Sequence, residues 1–277
     1  MTEPGIRRRA LQVVKATAAV VDRLRGPARG IIVLLYHRVG GRTGQEMDLP
    51  LDLFERQMEM LSGRRVVSLD ESIDLLTGGS DDLDGGALPI VVTFDDGTAD
   101  FVEVALPLLV RWQIPSTLYV ATKYVDEGRE FPGLGRPVSW KALREAVSTG
   151  LVTVGSHTHS HALLDRLPPN RVREELDSSV SLITERLDVR CDHFAYPKAI
   201  AGRGEAEEVV RRTFVSAAVG GSRANVPGRT DLHRLARSPI QVSDQMRWFN
   251  AKLNGGLAFE ESIRRTLNRA RYAGATT

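Results

Sequence analysis

The sequence has one cysteine, few aromatic residues and no long apolar run. Cys191 is the only cysteine among 277 residues, so the chain can form no internal disulfide and no zinc site built from cysteine thiolates. Aromatic residues make up 6% of the chain. No stretch approaches the roughly 20 consecutive apolar residues of a transmembrane helix. These absences exclude a disulfide scaffold and argue against a membrane-spanning protein.

The chain also lacks an excess of charge of either sign. It has 37 basic and 35 acidic residues, a net charge of +2, which does not indicate a nucleic-acid partner. With 42% hydrophobic and 26% charged residues, the composition is typical of a soluble globular protein. The length suits one large α/β domain or two small ones.

The N-terminus resembles a signal peptide only briefly. Three arginines, Arg7–Arg9, precede a short apolar stretch, but Lys15 and Asp22 interrupt it and no clear cleavage site follows. We predict a basic amphipathic helix over residues 6–25, within an extension of residues 1–29. This helix packs on the domain or on a second subunit, or else lies peripherally on an anionic membrane face. We favour packing and expect a cytoplasmic protein.

Apolar segments with the character of β-strands alternate with amphipathic helices seven or eight times along the chain. This alternation predicts βα units and parallel strand pairing, hence an α/β fold with one domain over residues 30–250. Residues 251–277 are predicted to add a helix that packs on this domain. Polar clusters fall where strands end, which is where barrels and open α/β sheets carry their sites.

Two adjacent carboxylates end the central predicted strand. The apolar run from Leu88 to Val92 leads into Asp95, Asp96 and Gly97. Consecutive strand residues point to opposite faces, so we expect the two acids to have separate functions. The alternative is a simple strand-to-helix turn in which Asp96 caps the next helix.

Three of the six histidines fall within five residues, from His157 to His161, after another apolar strand. His157 and His161 are four positions apart and can face one way. Together with Asp96 they form a ligand set that suits a catalytic divalent metal with open positions. We predict one ion per chain, with Zn2+ preferred and Ni2+, Co2+ or Fe2+ also suited. The alternative is a polar loop with a capping histidine.

The sequence resembles the polysaccharide deacetylases, carbohydrate esterase family four. Thr93–Gly97, His157–His161 and Phe194–Pro197 match three motifs of that family in order and character, and Leu35–Val39 resembles the opening of its bacterial members. The resemblance covers about residues 31–242. It implies a distorted (β/α) barrel of seven or eight parallel strands and metal-dependent removal of acetyl groups from an N-acetylated sugar or glycoconjugate.

The resemblance also implies a role for each matched residue. Asp95 would be the general base, and Asp96 would hold the metal with His157 and His161. Tyr196 would offer its backbone N–H to the oxyanion of the reaction. The residues expected to brace the site or contact the substrate are His37, Thr158, Pro197 and Arg237.

Three departures from the family pattern affect these roles. Ala195 stands where many members carry an arginine, and Ala199, after Lys198, stands where a glycine often closes the third motif. Leu235–Arg237 replaces the usual Leu-x-His, so Arg237 either binds substrate or orients Asp95. The general acid is then open among three histidines, which are His37, His159 and His233.

Two rival functions follow from these departures. One is a hydrolase of other small amide C–N bonds on the same barrel. The other is a metal- and carbohydrate-binding protein that has lost turnover, which the missing Leu-x-His favours and the presence of Asp95 opposes.

Overall fold

The computed structural model describes four parts of the chain, which are residues 15–16, 28–78, 88–133 and 135–257. The N-terminal helix predicted over residues 6–25 lies outside the described residues except for Lys15 and Ala16. Most of the predicted C-terminal segment, from residue 258, lies outside them too. The proposed domain boundaries therefore stay predictions.

Seven parallel strands form a closed barrel, which confirms the predicted α/β barrel. A two-stranded parallel sheet follows the first strand at its carboxyl end. In chain order the strands are β1 (Ile32–Tyr36), β2 (Arg38–Val39), β3 (Asp48–Leu49), β4 (Ile90–Phe94), β5 (Ser116–Val120), β6 (Val152–Ser156), β7 (His193–Ala195), β8 (Ser216–Gly220) and β9 (Leu235–Pro239). The barrel order is β1-β4-β5-β6-β7-β8-β9, and β9 closes it by pairing with β1.

Helices connect the strands and surround the barrel. They are α1 (Leu51–Ser62), α2 (Leu69–Thr77), α3 (Leu106–Arg111, preceded by a π-helical turn at Phe101–Ala105), α4 (Thr122–Glu127), α5 (Trp140–Ser148), α6 (Pro169–Leu187), α7 (Glu205–Thr213) and α8 (Gln245–Leu253). Single 3-10 turns lie at Leu164–Arg166, Pro197–Ala199, Leu232–Arg234 and Val242–Asp244. Within the described parts of the chain, no helix combines the length and the apolar character needed to cross a bilayer.

Side-chain alternation divides each barrel strand between two cores. Ile32, Leu34 and Tyr36 of β1 pack outward with the surrounding helices, whereas Val33 packs inward with Val91 of β4. Because side chains alternate with a period of two, every second residue of a strand faces inward, up to the carboxyl end of the strand. The interior of the barrel is therefore apolar near its middle and polar at the mouth.

Helix α2 closes the amino-terminal mouth of the barrel. Ser68 begins it as an N-cap, its hydroxyl accepting a hydrogen bond from the Glu71 N–H at 3.0 Å. Leu69 and Ile73 belong to the same buried cluster as the inward side chains of β1 and β4. Asp70 of this helix lies 2.9 Å from Nε2 of His193, at the start of β7. The opposite, carboxyl-terminal mouth is thereby left for a functional site.

Lys15 forms a buried ion pair with Asp244, in the 3-10 turn after β9. Its Nζ lies 2.6 Å from Oδ1 of Asp244 and 2.8 Å from Oγ of Ser243. Lys252 forms a second ion pair with Asp244 at 2.7 Å, and all three charged side chains are fully buried. Burial alone would raise the pKa of Asp244, but the two lysines lower it below its ordinary value. At this residue the N-terminal segment contacts the 3-10 turn that follows β9.

Replacing Lys15 with alanine should therefore destabilise the protein. Loss of one partner of a buried pair leaves Asp244 poorly compensated, and we expect the free energy of unfolding to fall by about 3 kcal/mol, the lower end for such losses because Lys252 remains. Urea denaturation followed by circular dichroism measures the change. The matched control is Lys141→Ala, since Lys141 is exposed and pairs only loosely with Glu145 at 3.9 Å. Equal stability of the two variants would contradict the assignment.

Candidate active site

Asp95 and Asp96 lie at the carboxyl end of β4, where the chain turns sharply. The Asp95 N–H donates to the carbonyl of Tyr36 at 3.0 Å, which extends the pairing with β1 by one residue. Asp96 and Gly97 then take φ values of 75° and 92°, in the left-handed region. A Cβ at Gly97 would lie 3.2 Å from Cγ1 of Val120, so glycine suits this position for both reasons. The turn places both carboxylates within 3.8 Å of the same imidazole nitrogen, Nε2 of His157.

Arg237 of β9 holds Asp95 inside the barrel. Its two terminal nitrogens lie 2.6 Å and 2.8 Å from the two carboxylate oxygens, a bidentate arrangement that fixes the orientation of the carboxylate. Arg237 is fully buried and its guanidinium lies 5.1 Å from the ring centre of Tyr119. Burial raises the pKa of Asp95, but Arg237 and His157 outweigh it and lower the pKa below its ordinary value. Asp95 is therefore ionised at neutral pH.

His157 presents a free lone pair to the two carboxylates. Its Nδ1 lies 2.7 Å from the carbonyl oxygen of Ala195, which can only accept a hydrogen bond, so Nδ1 carries the proton. Nε2 is then unprotonated and faces Asp96 at 3.6 Å and Asp95 at 3.8 Å. Burial lowers the pKa of His157 to about 4, so the ring is neutral at neutral pH.

Asp96, His157 and His161 come together as a ligand set for a metal ion. One oxygen or nitrogen of each side chain lies within 4.8 Å of the others, and Oδ1 of Asp96 is 3.4 Å from Nε2 of His161. Tetrahedral zinc with bonds of about 2.0–2.1 Å separates its ligand atoms by about 3.4 Å. Burial raises the pKa of Asp96, but the hydrogen bond from His161 and the charges of the nearby imidazoles hold it well below its usual range. The donor set therefore fits a divalent cation.

Thr158 braces the loop between the two histidines. Its Oγ1 accepts a hydrogen bond from the N–H of Ala162 at 3.0 Å, and its φ is 64°. His161 also has a positive φ, 63°. Two residues of this loop other than glycine thus hold the left-handed conformation, which is strained for an L-residue.

The third motif differs from the sequence-based expectation. The backbone N–H of Tyr196 donates to the carbonyl of Ala218 at 3.1 Å as part of the sheet, so it has no proton to offer the site. Pro197 is buried and has no N–H. Lys198 follows with a φ of 54°, and no acceptor for its N–H is found within the described residues. Lys198, not Tyr196, therefore has the available donor at this end of β7.

Three histidines are candidates for the general acid, and of these only His37 forms no side-chain hydrogen bond within the described residues. His159 is bonded through Nδ1 to Thr122 at 3.0 Å, and His233 through Nε2 to the carbonyl of Phe214, just before β8 begins. His37 follows β1 at an inward position, and its buried Nδ1 has no partner among the described residues. An electrostatic contribution from His37 is among the causes that lower the pKa of Asp95 and of Asp96.

Comparison with known proteins agrees with this geometry. The family model described as polysaccharide deacetylase matches residues 84–211, which include Asp95, Asp96, the histidine loop and the third motif. This match spans a little under half of the chain. YxkH of Bacillus subtilis (strain 168), a polysaccharide deacetylase by name, is 24% identical over 214 residues, 75% of this chain and 71% of the relative.

Solved structures extend the similarity to the barrel as a whole. IcaB from Ammonifex degensii is 27% identical with a TM-score of 0.68, over 82% of this chain and 98% of the IcaB chain. The Streptococcus pyogenes deacetylase PplD is 20% identical with a TM-score of 0.70, over 82% of this chain and 99% of its own, which shows a shared fold. The Asp96, His157 and His161 set lies within the residues that the family model matches.

The metal-binding set can be tested by replacing His157 with alanine. We expect the parent to hold about one divalent ion per chain and the His157→Ala variant to lose it, because one of three buried ligands is gone. Metal content is measured on the purified proteins by inductively coupled plasma mass spectrometry. His159→Ala is the control. His159 is bonded to Thr122 and is not in the ligand set, so this variant should keep the metal. A stoichiometric metal in His157→Ala would refute the assignment.

Proposed function

We propose that this protein removes the acetyl group from an N-acetylated sugar within a polysaccharide or glycoconjugate, with zinc as its metal. The observation that carries the proposal is a carboxylate kept ionised by Arg237 beside the set of Asp96, His157 and His161. A binding protein would need the ligand set alone. A buried, oriented and ionised acid next to it is what a general base requires.

In the proposed reaction, Asp95 accepts the proton of the attacking water. Arg237 makes one hydrogen bond to each carboxylate oxygen, and each oxygen has a second lone pair for the water. The water oxygen bonds to the acetyl carbon, and negative charge develops on the carbonyl oxygen. When bound at the ligand set, a divalent cation supplies polarisation of that carbonyl and acidifies water. The N–H of Lys198 donates to the developing oxyanion.

His37 is proposed to protonate the leaving nitrogen. The C–N bond breaks as this proton is transferred, and the products are acetate and a free amine. The usual Leu-x-His is absent from β9, and His37 supplies an imidazole from β1 instead. Arg237 of β9 orients the base. Ala195, which stands where many family members carry an arginine, cannot do so because its side chain has no polar group.

The assignment of Asp95 and Asp96 is tested by two asparagine variants. Asp95→Asn keeps the size of the side chain but cannot take a proton, so we expect acetate release to fall by about 10²–10⁴ while the metal stays bound. Asp96→Asn should instead weaken metal binding, and excess metal should restore part of the activity. Acetate release from N-acetylated sugar oligomers and metal content are measured on both. Parent-like turnover of Asp95→Asn would refute the base; a metal-loaded parent that releases no acetate would favour the binding-protein alternative.

The assignment of His37 is tested by varying the leaving group. His37→Gln should lower the hydrolysis of an acetamido sugar by about 10²-fold or more, since the amine needs a proton to depart. An aryl acetate, whose phenolate leaves unprotonated, should be hydrolysed at nearly the parent rate. His159→Gln is the matched control on both substrates. An equal loss on amide and aryl ester would mean that His37 does not donate the proton.

A further inference from the structure

The loop that carries the two histidine ligands is strained and needs support. Thr158 and His161 both have φ values in the left-handed region, 64° and 63°. A short loop of this kind relaxes unless other contacts hold it, and relaxation would move Nε2 of His161 away from Asp96. The contacts that hold the loop therefore bear on metal affinity.

Glu175 of helix α6 holds this loop at its far end, next to His161. Its Oε2 accepts a hydrogen bond from the Ser160 N–H at 2.8 Å, and its Oε1 accepts one from the Ser160 hydroxyl at 2.7 Å. Ser160 directly precedes His161. Both carboxylate oxygens of Glu175 thus accept hydrogen bonds from Ser160, which fixes the backbone next to His161.

A second contact from the same helix face supports the base of the loop. Ser179, one turn beyond Glu175, bonds through its hydroxyl to Oγ of Ser156 at 2.8 Å. Oγ of Ser156 also accepts the N–H of Thr158 at 3.2 Å. Positions four apart on a helix share a face, so α6 holds the loop at both of its ends.

The environment of Glu175 differs from that of its neighbour on the helix. Glu175 is 9% exposed, and no lysine, arginine or histidine pairs with it within the described residues. Glu174 is exposed and pairs with Arg171 at 2.5 Å, an ordinary surface contact. A buried carboxylate without a cation is costly, and its two bonds to Ser160 are what offset that cost.

We propose that Glu175 is a positioning residue of the metal centre. It holds the segment from His157 to His161 in its left-handed conformation before the ion binds, so that binding need not order the loop. The inference rests on the proposed metal site. Groups beyond the ligands that fix ligand orientation typically alter metal affinity by 10–100-fold.

The experiment compares zinc affinity of metal-free Glu175→Ala, Glu175→Gln and Glu174→Ala by competition with a chromophoric chelator. We expect Glu175→Ala to bind zinc 10–100-fold more weakly than the parent. Glu175→Gln should stay within about threefold, because its amide oxygen can accept the Ser160 N–H while its NH2 donates to the hydroxyl. Glu174→Ala should match the parent. Cobalt absorption spectra should show altered ligand geometry in Glu175→Ala alone.

Thermal unfolding of the metal-free proteins separates this role from simple stabilisation. A Glu175→Ala variant that melts earlier yet binds zinc as tightly as the parent would overturn the inference and leave the proposed function intact. If Glu175→Ala does not fold, Ser160→Ala removes one of the two bonds and should still weaken zinc binding severalfold; parent-like affinity there would overturn the inference. A parent that binds no divalent ion would overturn the metal site itself, and the inference with it.

Discussion

The buried ion pair between Asp95 and Arg237 is the interaction on which the site depends. The two residues belong to β4 and β9, which are separated by β1 in the barrel. They can meet only after the barrel has closed, on its inner side. Two buried charges repay their desolvation only when their geometry is good, and removing either leaves an uncompensated charge. The pairing of β9 with β1 that closes the barrel therefore also fixes the orientation of the Asp95 carboxylate.

The barrel mouth lets different strands supply equivalent groups. Inward positions of all seven strands converge on the axis, so a guanidinium from β9 can reach the carboxylate that an arginine near Ala195 would otherwise orient. Small interior residues make this feasible. A Cβ at Gly155 would lie 2.7 Å from Cδ1 of Tyr119, the ring on which Arg237 rests. Tyr119 takes up the space that a side chain at Gly155 would need, and Arg237 lies against the ring of Tyr119.

The barrel and the ligand set could be predicted because each follows from local pattern. Strand periodicity, strand-end acids and the histidine spacing lie within short windows. The sequence leaves two roles open for Arg237, and the choice between them depends on strand register. Which N–H is left without an acceptor depends on where β7 ends, and the Tyr196 N–H is bonded to Ala218. The burial of Lys15 escaped prediction for a similar reason, since its partner Asp244 is 229 positions away. The sequence indicates the chemical character of these residues, but it does not show which residues far apart in the chain contact each other.

The charges at the carboxyl-terminal mouth of the barrel suit the proposed deacetylation. Asp95 and Asp96 are ionised, Arg237 is positive, and His157 is neutral because burial lowers its pKa to about 4. These groups together carry one negative charge, so a divalent cation would leave one positive charge where the oxyanion develops. Without Arg237 the same ion would only neutralise the two acids. In the proposed reaction, Arg237 would therefore contribute to the field at the oxyanion as well as to the orientation of Asp95. The strand that closes the barrel, β9, supplies both effects.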